Sequence, residues 1–380
     1  MAEQRDIFLV CNSIDEVGGV QQWAHDLSRL FAARGHRVHL VGIEKAAEFR
    51  DYGTDPSYQR TILHDALPKA WRPRGIGHLN VPRRITRSRR EAMVDRGAAR
   101  LSELFRAARP GGVIIVAQVW AQEWVIRADT AGLRVIGMTH ESYEASRRTS
   151  RYARVKRFYP DVHRLLALTE EDADAWAWNG MSNAGAMPNP VMATPVTRPD
   201  LSRPAVVTLR RLAHDKGIDM LVEAWAQVAP QHPDWQLSIY GSGPDEELLR
   251  RHARELGLDD RQIFRGLTTD LDAALSSASV YALPSREEGF PIALMEAMAY
   301  GLPSVAFDCA PGVRELLEDE VSGLLINPGN VPGFAAALER LIKDPDLRGR
   351  LGGQARESVG RFSPEAVVGR WEQLFELLHR

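Results

Sequence analysis

The 380-residue sequence predicts an α/β protein of two Rossmann-like domains facing each other across a cleft. Three observations predict it. Short apolar runs alternate with helix-period patterns along the chain, the rhythm of parallel strands covered by helices on both faces. Glycines follow several of these runs, where a strand must turn sharply into a helix. The length exceeds what one ordinary core fills, and a proline-rich run (Met187-Pro-Asn189-Pro, then Pro195, Pro199 and Pro204) interrupts regular structure near the middle. The hinge is expected near residue 190, with domains over 1–190 and 191–363.

Residues 6–12 (DIFLVCN) form an apolar run that ends in Ser13-Ile-Asp-Glu-Val-Gly18-Gly19, after which apolar residues recur at helical spacing over 20–33. This reads as strand, glycine turn, helix. Gly35 ends the helix and residues 36–42 (HRVHLVG) make a second strand, closing a β-α-β unit. Further strands are expected at 113–117, 135–139 and 165–168. The second half repeats the pattern: strand 205–209, helix 216–228, strand 236–240, then Gly241-Ser-Gly243-Pro and a helix from Asp245. Residues 280–283, 304–307 and 323–326 supply later strands. In sheets of this kind ligands bind at the carboxyl ends of strands.

Apolar residues at 44% and charged residues at 26% are those of a folded globular protein. No apolar run approaches eighteen residues, and the N-terminus enters a strand without a signal-peptide core, so the expected location is cytoplasmic. Cys11 and Cys309 fall in apolar strand contexts in opposite halves. They suggest neither a disulfide framework nor a metal cluster, and read as small buried hydrophobes.

The most informative segment is Ser285-Arg-Glu-Glu288-Gly289-Phe290-Pro-Ile292-Ala293-Leu-Met-Glu296-Ala-Met-Ala-Tyr-Gly301-Leu-Pro303. A strand leads into an acidic-glycine turn, Pro291 stands where it opens a helix, and Gly301 with Pro303 closes it. Free N–H groups near Ile292 and Ala293 then form an anion site suited to phosphate. At ~1.5 Å rise per residue, Glu288 and Glu296 are separated by roughly 12 Å along the helix. A nucleotide-sugar carries hydroxyl-rich ends about that far apart around its diphosphate.

This segment resembles the signature of the family 4 retaining glycosyltransferases of GT-B fold. The resemblance implies that Glu288 hydrogen-bonds a donor sugar and Glu296 the nucleotide ribose. A second element, Thr208-Leu-Arg-Arg211-Leu-Ala-His-Asp-Lys216-Gly217, is similar to the family's Gly-Arg-Leu…Lys-Gly run, whose Arg and Lys hold the donor phosphates. An arginine fork and a lysine point charge five residues apart suit a diphosphate. Arg210 stands where the family usually has glycine. Gly241-Ser-Gly243-Pro resembles a Gly-x-Gly-Pro turn, and Phe264-Arg265-Gly266 a short element that meets the donor base. In the first half the resemblance assigns Gly18 and Gly19 to a loop near the donor phosphates, and His140 to a position near the transferring sugar. It also implies an acceptor-binding first domain, a donor-binding second domain, and a helix over 364–380 that returns to the first.

The resemblance thus expects a glycosyltransferase that keeps the anomeric configuration. Glu288, His140, Lys216 and Arg211 stand at the reacting end, and Gly18, Gly19, Gly241, Arg265, Gly289, Phe290, Ile292, Ala293 and Glu296 line the donor site. A UDP-linked hexose or N-acetylhexosamine is the expected donor, with GDP the alternative. No cofactor is expected. The strings Asp270-Leu-Asp272 and Asp172-Ala-Asp174 lie in helix-like stretches and read as caps rather than metal ligands. A sugar-nucleotide epimerase, a glycoside phosphorylase and a non-catalytic sugar-nucleotide-binding module are the rival readings.

Charge divides unevenly. Residues 1–190 carry 28 Lys and Arg against 22 Asp and Glu, or +6, and residues 191–380 carry 20 against 28, or −8. The positive excess concentrates at 83–90 and 147–157. Such clusters suit an anionic acceptor, whether a phosphate-bearing polymer or glycolipid, or peripheral contact with an anionic membrane; a solvated arginine face is the plain alternative. No recognised nucleic-acid-binding motif accompanies them, so no nucleic-acid partner is expected.

Overall fold

The computed structural model describes residues 3–47, 49–53, 55–67 and 81–380, the side chains of 81–87 excepted. The chain divides into two compact units, Met1–Met187 with Val368–Arg380, and Pro188–Val367.

The first unit holds a parallel sheet of β1 (Asp6–Cys11), β2 (Arg37–Glu44), β3 (Gln59–His64), β4 (Val113–Val116), β5 (Arg134–Met138), β6 (Arg164–Ala167) and β7 (Ala184–Ala186). Their order is β3-β2-β1-β4-β5-β6-β7. The second unit holds β8 (Ala205–Leu209), β9 (Gln236–Tyr240), β10 (Phe264–Gly266), β11 (Val280–Leu283), β12 (Ser304–Phe307) and β13 (Leu324–Ile326), in the order β10-β9-β8-β11-β12-β13. Central strands such as β1 (DIFLVC), β4 (VIIV) and β11 (VYAL) are buried at every position, which is why they read as unbroken apolar runs. Strand order reverses between β1 and β4 and between β8 and β11. At such a reversal the flanking loops part and leave a crevice at the carboxyl ends.

Three strands escape the sequence reading. β3 (QRTILH) and β10 (FRG) lie at sheet edges, and β7 (AGA) at the far edge of the first sheet, so few of their positions are buried. The helix expected over 216–228 starts later, at Ile218. Lys216 belongs to a 3-10 turn, His214–Lys216, and Gly217 breaks the two apart at φ +63°. A Cβ on Gly217 would lie 2.0 Å from the Pro284 carbonyl oxygen, so only glycine lets these segments meet.

The C-terminal helix Pro364–Leu378 packs on the first unit. Trp371 and Phe375 are fully buried against Phe31, and Glu372 takes Arg34 in an ion pair at 2.7 Å. Trp371→Ala is therefore expected to destabilise the protein by roughly 3–5 kcal/mol. Denaturant unfolding of the variant checks this; a loss below 1 kcal/mol would mean that the helix is not part of that core. Among the described residues no helix is long and apolar enough to cross a membrane.

Candidate functional site

In the second unit the chemistry-bearing side chains gather at the β8–β11 reversal. Arg210 and Lys216 follow β8; Ser285 and Glu288 follow β11; Gly241 follows β9 and Cys309 follows β12. Backbone hydrogen bonds tie the loops together: Arg286 and Glu287 both donate to the Asp215 carbonyl, at 2.9 and 3.3 Å. Arg286 also grips Asp219 through two bonds of 2.7 and 2.6 Å. The turn bearing Lys216 and the loop bearing Glu288 are thus one braced assembly.

At its centre, Glu288 Oε1 accepts from Lys216 Nζ at 3.1 Å and forms an ion pair with the Arg210 guanidinium. Arg210 also donates to Ser285 Oγ at 3.0 Å. The Arg210 and Glu288 side chains are each only 7% exposed. Lys216 has further partners in Asp215, at 3.2 Å, and the Glu287 carbonyl, at 3.4 Å. Burial works to raise the Asp215 carboxyl, but the Lys216 charge and hydrogen bond outweigh it and hold Asp215 below its ordinary value. Burial, then the Glu288 charge, pushes the Cys309 thiol up to about 12, so it stays protonated at neutral pH. Cys309 is half-buried beside this cluster, whereas Cys11 is the fully buried residue expected from its strand.

Two expectations need correction. Arg211, expected at the buried centre of the site with Lys216, meets it only at the Asp215 carboxylate, at 3.6 and 3.2 Å, and its side chain is 67% exposed. Arg210 turns inward instead. Its N–H donates to the Tyr240 carbonyl and continues the ladder of β8, so side chains still alternate there and Arg210 and Arg211 point to opposite sides. The second concerns Phe290, whose ring is buried edge-on against Phe362 at 5.4 Å and anchors the loop instead of lining open space. The signal for Arg210 was its position one residue past a buried strand.

The helix Ile292–Ala299 begins at Pro291 with no side-chain cap. Among the described residues no protein group accepts a hydrogen bond from the Ile292 or Ala293 N–H. Some other helices of this unit carry such caps, from Asp270, Asn330 and Asp344. The helices Ile218–Val228, Glu246–Glu255 and Pro311–Leu316 also begin without a side-chain cap, so the missing cap is not peculiar to this helix; here it leaves N–H groups whose dipole favours an anion. Gly289 leads into it, packed so that a Cβ on Gly312 would lie 1.9 Å from the Gly289 oxygen. Glu296 is half-buried one turn beyond, within electrostatic reach of Tyr281 and Tyr300. Gly241 is required by the fold itself: at φ +147° a Cβ there would lie 1.8 Å from the Arg210 oxygen. Arg265 is exposed on β10, its Nε 3.4 Å from Ser238 Oγ.

In the first unit, Gly18 is the N-cap of the helix Gly19–Ala33, again without a side-chain cap, and a Cβ on Gly19 would meet nothing within 4 Å. His140 follows β5, its ring edge-on to Trp23 at 4.6 Å, and it lines a cavity of about 140 Å³ with Asn12, Gln118, Trp120 and Glu141. Its Nε2 is buried with no protein partner. Burial lowers its pKa from 6.5 to about 4, so the imidazole is neutral at neutral pH. Because the unfolded chain binds this proton more readily, stability is full above pH 6.5 and is lost as pH falls from 6.5 towards about 4. His140→Gln is expected to flatten that part of the stability profile, measured by urea unfolding at several pH values; an unchanged slope would mean that the ring is solvated.

Of the basic clusters, Arg83, Arg84 and Arg87 lie outside the described side chains. In the second cluster Arg147 pairs with Glu144 at 3.0 Å and Arg151 with Glu141 at 2.6 Å, while Arg154 stacks over Trp120. Carboxylates thus match at least two of the six cations in this cluster, Arg147 and Arg151. The Asp-x-Asp strings are engaged too. Asp270 caps its helix, Asp272 accepts from the Tyr300 hydroxyl at 2.7 Å, and Asp172 accepts from Tyr143 N–H at 2.7 Å. Among the described residues no three His, Cys, Asp or Glu side chains group as a metal site.

Residues 195–358 match the family model described as Glycosyl transferases group 1, and residues 17–192 that described as Glycosyltransferase Family 4. An exopolysaccharide phosphotransferase of Streptomyces coelicolor is 30% identical over 381 residues, covering 96% of this chain and 40% of that protein. An uncharacterised glycosyltransferase of Haemophilus influenzae is 33% identical over 211 residues, covering 55% of this chain and 60% of that one. The chain thus spans about half the length of these curated relatives. Among solved structures, TarM of S. aureus superposes with a TM-score of 0.78 at 15% identity, covering 98% of this chain and 100% of that one. HepE of Anabaena superposes at 0.74 and 17% identity, covering 98% and 100%. These likenesses match the GT-B arrangement of two parallel-sheet units.

Proposed function

Because the chain belongs to the group 1 glycosyl transferases, we propose that it moves a hexose or N-acetylhexosamine from a UDP-linked donor to an acceptor hydroxyl, with retention and without a metal ion. One observation carries the reading. At the β8–β11 reversal, a carboxylate held by two cations sits at the entrance to a helix whose first N–H groups have no protein acceptor. That combination offers acceptors for sugar hydroxyls beside donors for phosphate.

The proposed chemistry follows from this pairing. The bond from the anomeric carbon to the β-phosphate oxygen breaks, and its electron pair leaves with the diphosphate. Lys216 and the open helix N-terminus stabilise that growing charge. The acceptor oxygen bonds to the same face of the carbon, and its proton passes to an oxygen of the leaving phosphate. Glu288 places the sugar and Glu296 takes the ribose; neutral His140 faces an acceptor-side cavity in the first unit. UDP is preferred because TarM, HepE and the pneumococcal GtfA were each solved with it.

A thermal-shift series tests the donor base: saturating UDP at 100 times its Kd should stabilise the protein by about 2.7 kcal/mol. A larger shift with GDP at equal concentration would overturn the UDP assignment. Incubation with UDP-sugars and acceptor extracts, with and without EDTA, then reads the transfer. Sugar release without acceptor dependence, or abolition by EDTA, would count against it.

A further inference from the structure

We propose that Arg210 is a positioning residue that acts through Glu288, fixing which carboxylate oxygen faces the donor sugar; this rests on the donor-site reading above. An ionised carboxylate offers two lone pairs on each oxygen. On Glu288 both acceptor places of Oε1 are filled, by Arg210 and by Lys216 at 3.1 Å. No described residue donates to Oε2. The side chain is therefore turned so that a ligand hydroxyl meets Oε2.

Lys216 alone would not set that orientation. Its ammonium is shared among Glu288, Asp215 and the Glu287 carbonyl, and a rotatable point charge imposes little direction. Arg210 differs on both counts. Its planar guanidinium is clamped between Ser285 Oγ and Glu288, and its backbone is pinned by Tyr240 on one side and by close contact with Gly241 on the other. Its Nε is buried without a partner, so the arrangement leaves a polar group unsatisfied, which satisfying hydrogen bonds for stability alone would not produce. The glycine usual at this position in the resembling sequences would leave Glu288 to Lys216.

The test is a double-mutant cycle. Arg210→Gln and Arg210→Lys are made in the wild-type and Glu288→Gln backgrounds, each checked for an unchanged unfolding profile. Calorimetry then measures affinity for UDP and for whichever of UDP-glucose, UDP-galactose and UDP-N-acetylglucosamine the wild type binds best. If Arg210 acts through Glu288, Arg210→Gln lowers affinity for the UDP-sugar on the order of tenfold, the scale of one charge-assisted hydrogen bond, while UDP affinity holds. Arg210→Lys recovers part of the loss, and in the Glu288→Gln background neither change costs more. Equal losses in both backgrounds, or a parallel loss of UDP affinity, would overturn the proposal. A wild-type protein that bound neither UDP nor any UDP-sugar would sink the donor-site reading and this inference with it, a result distinct from an active protein whose variants are additive.

Discussion

Lys216→Ala is expected to lower the transfer kcat by roughly 10²- to 10³-fold, the scale for removing one preorganised electrostatic stabiliser. Its KM for donor should rise as well. The structure adds a consequence, because Lys216 is the hub between Asp215 and Glu288 and its side chain is 21% exposed. Removing it leaves Asp215 with Arg211 at 3.6 Å and leaves Glu288 with Arg210, so both carboxylates keep a cation and the fold should tolerate the change. Lys216→Arg restores the charge but not the compact head that fits among three acceptors, so recovery should be partial. Steady-state kinetics with varied donor, alongside a melting curve, reads both effects. A variant that lost less than fivefold in kcat would remove Lys216 from the leaving-group site.

Most of what positions this site was legible in the sequence, for a physical reason. Strands buried on both faces cannot alternate, so β1, β4, β8, β11 and β12 stand out as apolar runs, and the glycine or acidic turns after them mark the carboxyl ends where ligands bind. Edge strands such as β3 and β10 carry no such signature. Glu288 and Lys216 were singled out by the family resemblance of their flanking segments, and the structure brings the two side chains to 3.1 Å of each other. Arg210 was missed because two adjacent arginines differ only in which way the strand points each of them, and that depends on whether the ladder of β8 runs one residue further. Phe290 was misplaced because a motif shows which residues recur together, not which of them hold the loop against Phe362. The glycines divide in the same way. Gly217 and Gly241 are explained by close backbone contacts, whereas nothing within 4 Å requires glycine at 19, so the fold gives no reason for that residue.

Glu288 and Glu296 should fail differently when replaced, and the choice of replacement decides whether the difference can be seen. Glu288→Ala would leave the Arg210 guanidinium buried without its counter-charge, and breaking one side of a buried pair costs about 3–5 kcal/mol. Loss of activity in that variant would then mix unfolding with chemistry. Glu288→Gln keeps the shape and an oxygen for Arg210, so it isolates the carboxylate charge. If Glu288 holds the donor sugar, this variant should bind UDP as the wild type does, since UDP has no sugar for it to contact, while turnover falls. Glu296 lies half-buried within the helix that Pro291 opens, and Glu296→Ala is read against its own unfolding curve. It should weaken UDP itself, by roughly 1.5–3 kcal/mol for lost hydrogen bonds to a charged acceptor. Calorimetric titration of UDP into both variants, after urea unfolding has compared their stability, makes the measurement. Lost UDP affinity in Glu288→Gln with normal affinity in Glu296→Ala would reverse the two roles. If neither variant altered UDP binding or turnover, the nucleotide-sugar would have to lie elsewhere than at the β8–β11 reversal.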